Sequence, residues 1–196
     1  EPTNEPYAIA KITGIKMCEA YWDQYGCNFI SAMPTNMYGP NDNYHPDNSH
    51  VLPALIRKFH EAKTNGSDSV TVWGDGSPFR EFLYADDLAN ALVYLMLNYN
   101  EKQFVNVGYG DEITIKDFAD EIIKLTGTNQ KVVYHPLPIN DPLQRQPDIT
   151  KAKNLLGWEA KVGRAEGMKI TYDYFKSLSK EELSKEEHKD FSNYIK

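Results

Sequence analysis

Apolar residues recur along this chain first at a spacing of about 3.6 and then at about 2, and the alternation predicts helices separated by short strands. From about Tyr7 to Tyr25 the pattern predicts a helix that buries Ile9, Ile12, Ile15, Ala20 and Tyr21 and stops at Gly26. Phe29 to Met33 reads as a strand running into a turn-rich loop, Pro34-Thr35-Asn36-Met37-Tyr38-Gly39-Pro40. A polar stretch from Asn41 to Ser49 then leads to His50 and a helix of about Val51 to Lys63. A strand at Val70 to Trp73, a turn at Gly74 to Pro78 and the run Phe79 to Tyr84 come next. Asp86 and Asp87 open a helix to about Leu97 that carries Leu88, Ala91, Leu92 and Leu95 on one face.

After a strand at Phe104 to Val107, Thr114 with Asp117 resembles a capping box and starts a helix to Leu125. Lys131 to Tyr134 predicts another strand, Asp141 to Pro147 a loop, and the stretch to about Leu156 a short helix ended by Gly157. A last helix is expected near Ala165 to Leu178, and the Lys- and Glu-rich tail beyond it is a solvated helix or a frayed end. This order of elements predicts an α/β fold. In open parallel sheets ligands sit outside the carboxyl ends of strands, so the loop after Met33 is where a ligand is expected. Its length points the same way.

Composition narrows the class. The chain has 196 residues, 41% of them hydrophobic and 25% charged, enough for one well-buried domain or two small ones. A net charge of −7 argues against nucleic acid as a partner, because a phosphate backbone asks for a basic surface. With only Cys18 and Cys27, a disulfide framework is not expected, and reduced thiols in the cytoplasm are the plain reading. No run approaches the ~20 apolar residues of a membrane span, so no membrane partner is expected. His45 and His60 have no partners at metal-ligand spacing, and no metal is expected. The sequence opens at Glu1 without a methionine, as a fragment or processed product would. It contains no Gly-x-Gly-x-x-Gly.

The densest chemistry lies near the start, where Tyr7 and Lys11 stand four residues apart and so share one face of the predicted helix. A free phenol titrates near ~10, and a neighbouring ammonium favours its ionised form, which suits a proton donor in reductive chemistry. Spacing alone is a weak signal; a surface pair is the plain alternative.

Tyr7-Ala8-Ile9-Ala10-Lys11, then Pro34-Thr35-Asn36 with Tyr38-Gly39-Pro40, then Arg80-Glu81-Phe82 with Asp86-Asp87, together resemble the extended short-chain dehydrogenase/reductases that act on nucleotide sugars. The resemblance covers roughly residues 1–110. It is most specific at Glu1 to Tyr7 and from Asn43 to His60, where it points to the branch that epimerises and reduces a GDP-linked 4-keto-6-deoxymannose with NADPH. It implies the C-terminal part of a Rossmann-like NAD(P)-binding fold with a small α/β substrate-binding lobe, the N-terminal glycine-loop half being missing. Residues 1–110 would be the Rossmann-derived part with interleaved substrate-lobe segments, 111–178 mainly the substrate lobe, and 179–196 a charged tail.

By the same resemblance Tyr7 is the proton donor to the reduced oxygen, Lys11 tunes it and holds the nicotinamide ribose, and His50 is the acid/base of epimerisation. Imidazole suits that task, since both its forms exist near neutrality. A capping role is the plain alternative for His50. Tyr7, Lys11, Pro34, Thr35, Asn36 and His50 are implied on the cofactor side, and Asn36, Lys58, Arg80 and Arg145 on the substrate side. Trp73 is counted with the latter, although as a strand aromatic it reads first as packing. The family's cysteine and serine partners would precede Glu1. A homodimer is implied.

The last third departs from that branch. Pro136-Leu137-Pro138, Asp141 to Ile149 and Leu155-Leu156-Gly157-Trp158 resemble UDP-glucuronate decarboxylases and related dehydratases, which use NAD. Gln146 stands where the GDP-sugar branch tends to carry lysine. A noncatalytic nucleotide-sugar-binding module remains the alternative of a different class.

Overall fold

The computed structural model describes residues 5–135 and 142–184. Its elements run α1 (Glu5–Tyr25), β1 (Ala32–Pro34), β2 (Asn36–Tyr38), α2 (Val51–Asn65), β3 (Ser69–Trp73), β4 (Phe79–Tyr84) and α3 (Ala85–Asn98). There follow β5 (Val105–Val107), β6 (Glu112–Thr114), α4 (Ile115–Thr126), β7 (Lys131–His135), a π-helical turn at Lys151–Leu155, α5 (Arg164–Ser177) and α6 (Lys180–Ser184). Most of the expected helices and strands fall where the periodicity puts them. Thr114 caps α4 as its spacing predicts, accepting the Asp117 N–H at 3.0 Å while its hydroxyl donates to the Asp117 carboxylate at 2.7 Å. Asp141 and the Pro136–Pro138 stretch lie outside the described residues, as does the tail beyond Ser184.

Three small sheets carry the strands. Parallel β1 and β5 pair from Ala32↔Val105 to Pro34↔Val107. Parallel β2 and β4 pair from Asn36↔Phe82 to Tyr38↔Tyr84, and β6 lies antiparallel on the other side of β4. Parallel β3 and β7 pair from Ser69↔Lys131 to Trp73↔His135. The strand expected at Phe29–Met33 therefore begins three residues later and includes Pro34. The partner decides this: β5 offers pairing only from Val105 onward, leaving Phe29 exposed against Tyr21 at 5.7 Å. A second strand, β2, then forms where a loop was expected, because the chain crosses at Thr35 from the edge of β5 to the edge of β4.

Two cores hold these sheets. The larger packs α2, α4 and α5 around Phe59, Phe118, Ile56 and Ile122, all fully buried, with Phe82 stacked on Phe118 at 4.3 Å. Each such side chain contributes about 1.5–3 kcal/mol by leaving water. The smaller joins α3 to β5 through Leu88, Ala91, Leu95, Val105 and Trp158. Asp87 fastens it, one carboxylate oxygen accepting the N–H groups of Lys161 at 3.0 Å and Val162 at 2.8 Å.

The expected burial of Ile9, Ile12, Ile15, Ala20 and Tyr21 does not occur: α1 buries no side chain, and Ile9 and Ile12 are more than half exposed. Only Ala8, Ile15, Cys18, Glu19 and Trp22 of this helix are half-buried. The outer side of α3 is similar, with Leu92, which was expected on its apolar face, exposed beside Val93, Met96 and Leu97.

Candidate active site

Residues with candidate chemistry collect at strand ends and helix starts. Thr35 sits at the crossing between two sheets, its N–H bonded to the Val107 carbonyl at 3.1 Å. Next to it, the Asn36 side-chain amide donates to the Glu81 carbonyl at 3.0 Å. Pro34, Thr35 and Asn36 are thus pinned to β5 on one side and β4 on the other, at the carboxyl end of β1. The Asn36 amide nitrogen is committed to the backbone, which makes that residue a brace for the passage.

Tyr7 and Lys11 share one face of α1, and the Lys11 ammonium lies 5.3 Å from the Tyr7 ring centroid. Tyr7 is 60% exposed. His50 occupies the N-cap of α2 but makes no side-chain cap bond; its carbonyl accepts the Ala54 N–H at 3.0 Å, leaving the imidazole exposed. Among the described residues no hydrogen bond or ring contact joins His50 to the Tyr7–Lys11 pair.

Lys58, on α2, donates to the Thr71 carbonyl at 3.4 Å and stands 5.9 Å from the Trp73 ring centroid. Burial pushes its ammonium below the usual lysine range. Trp73 ends β3 with 60% of its surface open and the His135 ring beside it at 6.0 Å, so it is no packing residue. Trp158, by contrast, is buried and donates its indole N–H to Asn90 at 3.0 Å. Arg80 is buried in β4, where its guanidinium donates to the Phe79 and Pro142 carbonyls and ties the strand to the loop holding Arg145. Arg145 itself is exposed. An open cleft of about 440 Å³ lies beyond the end of β5, lined by Tyr109, Gly110, Gln146, Pro147, Asp148, Ile149 and Lys153.

Glu81 is a residue of this region that sequence reading passed over. It is fully buried, and one of its carboxylate oxygens accepts the N–H groups of Tyr109 at 2.6 Å and Gly110 at 3.0 Å. Burial pushes its carboxyl above the usual range, opposed by those two donors and reinforced by Glu112 and Asp111. The available signal was an acid inside the otherwise apolar-aromatic run of β4, which has a buried Arg80 as its neighbour.

The sequence pattern of the NAD dependent epimerase/dehydratase family matches residues 1–108, and the chain belongs to that family. Its mixed sheets, mostly parallel, are accordingly those of a Rossmann-like NAD(P)-binding fold. The chain is similar to GDP-L-fucose synthase 1 of Arabidopsis thaliana, with 51% identity over 175 residues, 89% of this chain and 54% of that protein. It is 45% identical over 184 residues to the GDP-L-fucose synthase of Escherichia coli strain K12, covering 89% of this chain and 57% of that one. Among solved structures it resembles a GDP-D-glycero-L-gluco-heptose synthase of Campylobacter jejuni determined in the presence of NADPH, with a TM-score of 0.78 and 30% identity over 91% of this chain and 61% of that one. The chain thus spans little more than half the length of the curated relatives it matches. No described helix is long and apolar enough to cross a membrane.

Proposed function

We propose that this chain carries the acid/base and substrate-binding part of an NADP(H)-dependent nucleotide-sugar epimerase/reductase that turns GDP-4-keto-6-deoxymannose into GDP-L-fucose. The observation that carries this reading is the Tyr7–Lys11 pair on one face of α1, set in a chain half-identical to GDP-L-fucose synthases. Tyr7 gives its phenolic proton to the sugar oxygen as the ketone becomes an alcohol, and Lys11 supplies the adjacent positive charge. His50 exchanges protons at the carbons beside the ketone; its imidazole is exposed and takes no part in capping α2. NADPH, when bound, supplies the hydride.

The exposed Tyr7 hydroxyl and Lys11 ammonium suit a ribose, and the braced Pro34–Asn36 passage suits the nicotinamide side of the site. His50 is assigned to the same side. Lys58, Trp73 and Arg145 are assigned to the nucleotide diphosphate, the exposed indole offering a face for a base and the two cations charge for phosphate. Arg80 is assigned a supporting role there through its hold on the Pro142 carbonyl. In this reading residues 1–110 are the Rossmann-derived part, 111–178 the substrate lobe, and the glycine-loop half of the enzyme and a second copy of the chain are its partners.

Backbone N–H groups of a glycine loop normally cradle the dinucleotide pyrophosphate. Calorimetry on the 196-residue chain is expected to show no tight NADPH binding, and strong heats would overturn that expectation. With the complete encoded protein, GDP-4-keto-6-deoxymannose and UDP-glucuronate are to be assayed side by side. Turnover of the GDP sugar, abolished in His50→Ala, is expected; turnover of UDP-glucuronate with NAD, unaffected by the substitution, would move the assignment to a decarboxylase.

A further inference from the structure

Within β4, Glu81 is fastened in two directions: its backbone carbonyl takes the Asn36 amide, and one side-chain oxygen takes the Tyr109 and Gly110 N–H groups. Tyr109 and Gly110 form one wall of the 440 Å³ cleft, and Asn36 belongs to the passage that leaves β1. Gly108 lies between the two. A Cβ there would overlap the Glu81 carboxylate and come within 3.1 Å of Thr35 Cγ2, so only glycine lets the turn close down on both side chains. The second Glu81 oxygen and the Thr35 hydroxyl are buried and find no hydrogen-bond partner among the described residues.

We propose that Glu81 is a positioning residue of this site, which holds the Gly108–Gly110 wall of the cleft in register with the Thr35–Asn36 passage so that cofactor-side and substrate-side groups keep one fixed spacing. A carboxylate suits the task because a single oxygen can accept two diverging amide donors, a stronger hold than a neutral acceptor gives. The burial that raises the carboxyl makes Glu81 an expensive choice for stability alone, since an apolar residue would fit the rest of β4. What the carboxylate gains there is the pair of backbone donors at Tyr109 and Gly110. The role in turnover rests on the function proposed above; the hold on the wall does not.

The test compares Glu81→Ala, Glu81→Gln and Gly108→Ala with the unaltered full encoded protein. Glu81→Ala is expected to raise amide exchange at Tyr109 and Gly110 at least tenfold while leaving amides of α2 and α4 unchanged. It should also lower kcat for the GDP-keto sugar about a hundredfold, the order that a misplacement of ~1 Å costs, with a smaller change in KM. Glu81→Gln retains an oxygen acceptor and should recover protection and most of kcat, and Gly108→Ala should mimic Glu81→Ala. Unchanged exchange at both amides, unchanged kcat in Glu81→Ala, or a uniform rise in exchange throughout the protein would each overturn the proposal. If the unaltered protein does not turn over the GDP sugar, the function reading fails, and the exchange arm alone decides whether Glu81 holds the wall.

Discussion

Gly167 lies directly against the Tyr38 ring: a Cβ at this position of α5 would fall inside contact distance of the phenolic oxygen and 3.0 Å from Cε2 and Cζ. Tyr38 is itself buried at the end of β2 and flanked edge-on by Phe82 and Tyr84, so it has nowhere to move. Gly167→Ala is therefore expected to destabilise the protein by about 1–3 kcal/mol, the usual cost of overpacking a core. Urea denaturation measures it. Adding Tyr38→Phe, which removes the oxygen the new methyl meets, should recover part of the loss; a double variant no more stable than Gly167→Ala would show that the strain lies elsewhere.

Asp87 bonds two successive N–H groups of the segment entering α5. Asp87→Ala is expected to cost about 1–3 kcal/mol through the unsatisfied donors. Faster amide exchange at Lys161 and Val162 should accompany the loss, and protected amides there would count against this role.

The ring of His60 lies between Tyr172, whose hydroxyl is 2.9 Å from Nδ1, and Phe175 at 5.2 Å. Burial lowers its affinity for a proton, Lys63 and Lys176 add to the effect, and Glu61 opposes it. A depressed folded-state value means that the neutral ring contributes stability present above the unfolded value of ~6.5 and lost as pH falls through the folded value. Unfolding free energy should decline from about pH 7 toward pH 5, with a shallower decline in His60→Gln. Identical slopes would remove His60 from the account.

Tyr7→Phe deletes one oxygen from an exposed ring. In the complete protein it should lower kcat by about 10² to 10⁴ as an acid/base group is lost. Unfolding should stay within about 0.5 kcal/mol of the unaltered protein, as is usual for surface changes. A variant with normal turnover would exclude the phenol as proton donor.

Helix positions were most legible in α2, α4 and α5, where the apolar stripe has a core to face. Strand limits were less so, since the start of β1 is set by where Val105 lies, more than seventy residues further along the chain. The apolar residues of α1 were legible as a helix and misleading as to burial, because they are spread around the helix and form no single stripe that a core could cover. Tyr7, Lys11 and His50 could be singled out by motif. Glu81 stood in the Arg80-Glu81-Phe82 motif without a role, since its meaning comes from Tyr109 and Gly110, which only the fold brings to it.

A 21-residue helix with no fully buried side chain, and only a few half-buried ones such as Ile15, Cys18 and Trp22, draws little of its stability from a core. Its Ile9, Ile12, Met17, Tyr21 and Tyr25 are large apolar side chains left in contact with water. The same helix carries Tyr7 and Lys11. Any surface that packs on α1 would therefore order the helix and the setting of Tyr7 and Lys11 together.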